Sequence, residues 1–245
     1  MKSNKKILLT AVSILGLVSC SDTSTNTTEV SSTSTSIAVE STTTVASTDD
    51  TDGVTPIPES ALSQTLANIP SVSSLSITDR AALIWMREEE KVAHDVYVTL
   101  AQKWGANVFT NISAAEQTHT DAVETLLNRY SIADPVTDTT VGVFANKVFG
   151  NLYTALVKQG SISIAEAYTV GAIIEDLDIK DLQDRATTTP DIALVFDNLE
   201  KGSRNHMRAF IRQLDRFGVT YTPAYISQAD YNAIISGSME AGLQG

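Results

Sequence analysis

The chain has 245 residues, a single cysteine and a formal net charge of −12, a length suited to one domain with a sizeable core. The acidic balance argues against nucleic acid as a partner, because phosphate binding needs clustered Lys and Arg. One cysteine excludes an intrachain disulfide and an iron–sulfur cluster, so redox chemistry would have to come from a bound cofactor.

The chain opens with Lys2, Lys5 and Lys6, an apolar run from Ile7 to Val18, and Leu17-Val18-Ser19-Cys20. This run is too short to span a bilayer comfortably and reads as a processing signal. It resembles a bacterial lipoprotein signal with its lipobox. That resemblance implies cleavage after residue 19, a lipid on Cys20 and a membrane-anchored lipoprotein of the bacterial cell envelope, in either leaflet. The alternative is an ordinary secretory signal beside an unrelated thiol. Residues 20–61 are rich in Ser and Thr with few large apolar side chains, too little to fold on. They are expected to form a disordered tether, with the globular domain at 62–245 and its core at about 79–218.

The apolar period of that domain is helical, and no run alternates as a half-buried strand would. The first long helix is expected over Asp79–Lys103, with Thr78 as N-cap and Gly105 past its end. Its inward stripe includes Leu83, Met86, Glu90, Ala93, His94, Tyr97 and Leu100. The second covers Ser113–Tyr130. A shorter helix from Asn146 to Gln159 closes at Gly160. Ser163-Ile164-Ala165-Glu166 is a capping-box pattern that starts the third long helix, to Arg185. Pro190 opens the fourth, which Gly218 ends. The tail from Tyr221 to Ala241 is expected to carry one short helix. Two helices, a long connection with a small helix, then two more is the order of an all-α, ferritin-like four-helix bundle with one long crossover.

The three histidines, His94, His119 and His206, each fall on a helix near acidic residues. In Glu116-Gln117-Thr118-His119 a carboxylate and an imidazole three apart share a helix face, the way bundles hold di-iron or di-manganese centres. A capping box from Ser113 to Glu116 is the competing explanation. Glu90 belongs to the charge run Arg87-Glu88-Glu89-Glu90-Lys91, of which one or two members are expected to point inward. The stripe selects Glu90. Glu175 and Asp178 stand among isoleucines on the third long helix, and the bland alternative turns Asp176 and a neighbour to water. His206 follows Gly202 and Ser203 by one turn and is otherwise a satisfied core histidine.

Arg87 to Lys91, Asp95-Val96-Tyr97, Glu116 to His119, Gly171 to Leu182 and Gly202 to His206 resemble the bacterial domain of unknown function 2202, a ferritin-like family. The resemblance covers about Asp79 to Gly218. It implies a metal set carried over as Glu90, Glu116, His119, Glu175 and His206, with Tyr97 beside it as in the glutamate–tyrosine spacing of ferritins. A ferritin-like pattern has Glu three before the last histidine, whereas this chain has Ser203. Asp178 or His94 would have to replace that carboxylate, or the site would hold one metal or none.

The resulting expectation is a lipid-anchored protein with two iron or manganese ions and oxidative chemistry on dioxygen or peroxide. Carboxylate and imidazole donors suit those metals. The competing expectation is a metal-free binding or structural module of the envelope, its acids and histidines forming a hydrogen-bonded network. The membrane is the expected partner, and a homodimer is left open.

Overall fold

Seven α-helices and no strand make up residues 53–243, the part of the chain that the computed structural model describes. The expected signal peptide, Cys20 and most of the expected tether lie outside the described residues. None of the described helices is long and apolar enough to cross a membrane.

α1 spans Glu59–Ala67 and α2 spans Ile77–Trp104. The cap of α2 is Ser76, whose hydroxyl accepts the Asp79 amide at 2.9 Å, so the expected cap Thr78 lies inside the helix. Gly105 ends α2 in the left-handed region at φ 63°, where a residue without Cβ is unstrained. Only Gly105 and Ala106 separate α2 from α3 (Asn107–Arg129). The tight link starts α3 well before the expected Ser113. That residue's hydroxyl donates to the Thr110 carbonyl at 3.0 Å, and so the capping-box account of Glu116 fails.

α4 runs Lys147–Gly160 behind the cap Asn146, and α5 runs Ile164–Asp184. Ser163 caps α5 by accepting the Glu166 amide at 3.1 Å, but the Glu166 carboxylate turns to Gln159 and leaves the box half-formed. Gly160 is the last helical residue of α4 and is not a left-handed stop. A Cβ there would stand 2.9 Å from the Leu100 side chain, and its carbonyl accepts the Trp104 indole at 2.9 Å. α6 covers Pro190–Arg216 and α7 covers Gln228–Ser236.

The four long helices close on one another, with α2 against α3, α3 against α6, α6 against α5 and α5 against α2. α4 lies on α2 and α5, α1 on α3, and α7 on α6. Surrounded this way, α2 has little face left for solvent, and its charge run departs most from expectation. Arg87, Glu88, Glu89, Glu90 and Lys91 are all 5 % exposed or less. Four of them reach partners that offset the cost of burying charge. Arg87 donates to Asp134, Glu124 and both Thr120 oxygens. Glu88 accepts the amides of Ala145 and Asn146 at the start of α4. Glu89 takes the Trp85 indole at 2.9 Å, and Lys91 reaches the Thr140 carbonyl at 3.0 Å. The run therefore pins the long connection between α3 and α4 onto α2.

Residues 53–61, expected as the end of the tether, pack onto the helices instead. Ile57 is buried, its amide donates to Thr118 Oγ1 at 2.9 Å, and Thr55 is buried as well. At Gly53 a Cβ would come 2.5 Å from Ile112, and its φ of 86° also favours glycine.

The apolar interior divides into two clusters. One gathers Leu83, Met86, Val123, Leu126, Leu182, Val195 and Leu199. The other gathers Tyr97, Phe109, Ile112, Ile174, Met207 and Phe210. On α2, α3 and α6 the sequence between the two clusters is polar, with Glu89 and Glu90, Glu116 and His119, and Ser203 and His206, and on α5 Glu175 and Asp178 interrupt the apolar residues from Ile174 to Ile179. The site is that layer.

Asp176, on the other side of α5, faces the tail. It accepts the Tyr221 hydroxyl at 2.8 Å and the amides of Ala224, Tyr225 and Ile226. It does not face water, and it binds the tail through one hydroxyl and three consecutive backbone amides. Asp176→Ala leaves that stretch without its acceptor and is expected to cost about 3 kcal/mol in urea unfolding, with faster amide exchange at residues 224–226.

Candidate metal centre

The five residues carried over from the sequence, Glu90 on α2, Glu116 and His119 on α3, Glu175 on α5 and His206 on α6, converge in the buried layer. None is more than 2 % exposed. Glu116 is the hub. Its Oε2 lies 2.8 Å from His119 Nδ1 and its Oε1 lies 2.8 Å from His206 Nδ1. Glu90 Oε2 stands 3.7 Å from His119 Nδ1, and Glu175 Oε2 stands 3.6 Å from His206 Nδ1. The two imidazoles stack with centroids 5.4 Å apart and planes 20° from parallel. Ligand atoms of Glu116, His119 and His206 all lie within 4.8 Å of one another.

His119 is oriented from outside the layer. Its Nε2 lies 2.9 Å from the Thr55 carbonyl, an acceptor only, so Nε2 carries a proton and Nδ1 is turned to the carboxylates. A backbone carbonyl behind a histidine is the usual means of fixing a metal-binding tautomer. Gly202 makes room for the ring, because a Cβ there would sit 2.4 Å from His119 Cε1. Tyr97 donates its hydroxyl to Glu175.

His206 is different. Neither of its ring nitrogens has a hydrogen-bond partner, since the 2.8 Å approach of Nδ1 to Glu116 is off the direction of a ring N–H. Such an approach is close to the roughly 3.0 Å that separates adjacent ligands around one octahedral ion with bonds of about 2.1 Å. Buried side-chain atoms without a partner number five among the described residues: Glu89 Oε1, Glu90 Oε1, Asp178 Oδ1, and His206 Nδ1 and Nε2. All belong to this layer.

The other expected residues separate clearly. Asp178 and Ser203 meet in the layer, where the serine hydroxyl donates to Asp178 Oδ2. His94 is not there. Its Nδ1 lies 2.9 Å from Asp95 Oδ1, and Asp95 also accepts the Gly142 amide at 2.9 Å, so His94 belongs to the anchor of the long connection. Two contributors escape sequence reasoning. Thr55 acts through its backbone carbonyl, which leaves no residue-type signal in a Ser/Thr-rich stretch. Glu89 is masked by the charge run around it.

Electrostatics follow from burial without enough positive charge. Desolvation pushes Glu90 and Glu175 up to about 7, helped by the neighbouring Glu116 carboxylate. Burial would raise Glu116 as well, but the two histidines outweigh it and hold that carboxyl below its ordinary range. Burial would lower His206, yet Glu116 and Glu175 raise it to about 9. The layer thus gathers protons where it lacks another cation.

These features define an all-helical protein with a buried carboxylate–histidine layer across four helices. The chain belongs to the uncharacterized protein domain family DUF2202, which matches residues 79–238 and so includes every layer residue except Thr55. It is 52 % identical over 171 residues to the uncharacterized protein MJ0754 of Methanocaldococcus jannaschii, across 69 % of this chain and 92 % of that protein. The crystal structure of hypothetical protein MJ0754 from Methanococcus jannaschii DSM 2661 is similar, with a TM-score of 0.69 at 51 % identity. That match covers 70 % of this chain and 99 % of the other.

The raised groups set a direction for pH dependence. Glu90, Glu175 and His206 bind protons more tightly folded than unfolded, so their contribution is full below the unfolded values of 4.5 and 6.5. It is lost as pH rises through about 7 and then about 9. Chelator-treated protein is expected to melt at progressively lower temperature from about pH 6 to about pH 9. Added metal should reverse that trend, because deprotonated ligands bind it more tightly. A melting temperature that climbs with pH in the chelated protein would contradict the assignment.

Proposed function

We propose that the chain is a ferritin-like four-helix-bundle protein, lipid-anchored to the bacterial envelope through Cys20. Its buried layer holds a di-iron or di-manganese centre used for oxidative chemistry with dioxygen or peroxide. The observation that carries the metal reading is His206, fully buried with both ring nitrogens unpartnered and three carboxylates around it or its stacked neighbour. A metal-free network would leave that imidazole and three carboxylate oxygens unsatisfied in the core, at about 1–3 kcal/mol for each group. A cation among them would satisfy the His206 imidazole and the Glu90 oxygen together.

Glu90, Glu116, His119, Glu175 and His206 would hold the ions, and oxygen and imidazole donors without sulfur fit iron or manganese. When bound, such ions supply the electrons for oxidative chemistry. The chain's own residues prepare the place. Thr55 fixes the His119 ring through Nε2, Glu116 faces both histidines, and Tyr97 holds one oxygen of Glu175 by its hydroxyl. The phenol proton of Tyr97, raised well above its ordinary range by burial and by Glu175, stays on the oxygen and keeps that carboxylate oriented. The apolar clusters on either side keep bulk water out, which strengthens every charge interaction in the layer.

Protein purified from cells supplemented with iron and manganese is expected to carry one of these metals, and Glu116→Ala and His119→Ala are expected to lose it. Metal at a hundredfold excess over its dissociation constant should stabilise the chelated wild type by about 2.7 kcal/mol. No iron or manganese in any of the three proteins would sink the proposal. Anchoring is tested separately, with Cys20→Ser expected to move the protein from the membrane fraction to the soluble one in its bacterial host. Retention in the membrane would remove the lipid anchor.

A further inference from the structure

Asp178 is not among the five residues of the proposed centre, yet it is built into the same layer. It follows Glu175 by three residues on α5, which places both on one face, and it is 6 % exposed. Its Oδ2 accepts the hydroxyl of Ser203, which also contacts the Leu199 carbonyl at 3.0 Å and precedes His206 by one turn of α6. Its Oδ1 has no hydrogen-bond partner. A carboxylate gripped at one oxygen and bare at the other, away from water, is aimed at a species the protein does not itself provide.

The surroundings say what sign that species has. The carboxylates of Glu90 and Glu89 stand near Asp178, with no cationic side chain among the described residues bonded to it. Glu90 Oε1 is also bare. A further acid in that place worsens the repulsion unless a cation sits between the oxygens.

We infer that Asp178 is a sixth ligand of the proposed centre, offering Oδ1 to a divalent cation while Ser203 fixes Oδ2 as a positioning residue. The inference rests on the metal reading above. The carboxylate thus comes from α5, and the small hydroxyl at position 203 of α6 makes space for it and holds it.

The test uses the full chain, stripped by chelator and titrated anaerobically with Fe(II) or with Mn(II), followed by calorimetry and metal analysis. Asp178→Asn keeps the volume and an oxygen that can accept the Ser203 hydroxyl, and removes only the anionic ligand. Wild type is expected to bind two ions per chain. Asp178→Asn should retain one and bind the second about a hundredfold more weakly, and Ser203→Ala should keep both with about a tenfold loss, the low end of the range seen when a ligand's hydrogen-bond support is removed. Chelated Asp178→Asn is expected to melt no lower than wild type, because a repelled buried carboxylate has gone. Equal ion number and affinity in wild type and Asp178→Asn would overturn the role of Asp178 while leaving the centre standing. Loss of both ions with a lower melting temperature of the chelated variant would make Asp178 structural and also overturn it. Wild type that binds neither metal would remove the centre and the sixth ligand together.

Discussion

Everything distinctive in this structure depends on one electrostatic constraint: Glu89, Glu90, Glu116, Glu175 and Asp178 share a buried layer with two imidazoles among them. Carboxylates lose several kcal/mol of hydration on burial, and mutual repulsion adds to it. The chain meets this by letting His119 and His206 protonate, by holding Glu90 and Glu175 near neutrality of charge, and by donating hydroxyls from Tyr97 and Ser203. Even so, five buried side-chain atoms among the described residues make no hydrogen bond. A purely structural core has no reason to retain them, because apolar residues of similar volume would pack at lower cost.

The rest of the fold can be understood as what holds that layer shut. Two apolar clusters lie on either side of it, and their packing fixes the level at which the four long helices present their acids. The buried charge run of α2 clamps the connection that carries α4, while Asp176 on α5 clamps the tail. Consecutive residues of α5 thus serve different faces, Glu175 the layer and Asp176 the tail. Successive side chains point about 100° apart, so one helix can serve the layer and a clamp at the same height.

The segment before α1 adds a constraint that the family match does not include. Thr55 lies upstream of residues 79–238, but its carbonyl fixes the tautomer of His119, and its hydroxyl oxygen accepts Asn205 Nδ2 at 3.2 Å. The C-terminal segment meets the same asparagine through Glu240. Both ends of the described chain therefore close on α6 beside His206, which ties the integrity of the layer to residues far from it in sequence.

The sequence alone was enough to read the long helices, because apolar residues recur with the helical period and Gly105, Asn146, Ser163 and Pro190 punctuate them. It also singled out Glu90, Glu116, His119, Glu175 and His206, since acids and imidazoles interrupting an apolar stripe carry their own signal. Other features became legible only in the folded chain. The run Arg87–Lys91 is buried, and not mostly solvated, because helices and a connection surround α2 on all sides, which helical period does not reveal. Between the two candidates for the missing carboxylate, spacing could not choose. Tertiary packing separates them, turning His94 to Asp95 and bringing Asp178 to Ser203 across the α5–α6 contact. The physical reason is general: a period fixes which face a residue occupies, but only the packing of helices against one another fixes what that face meets.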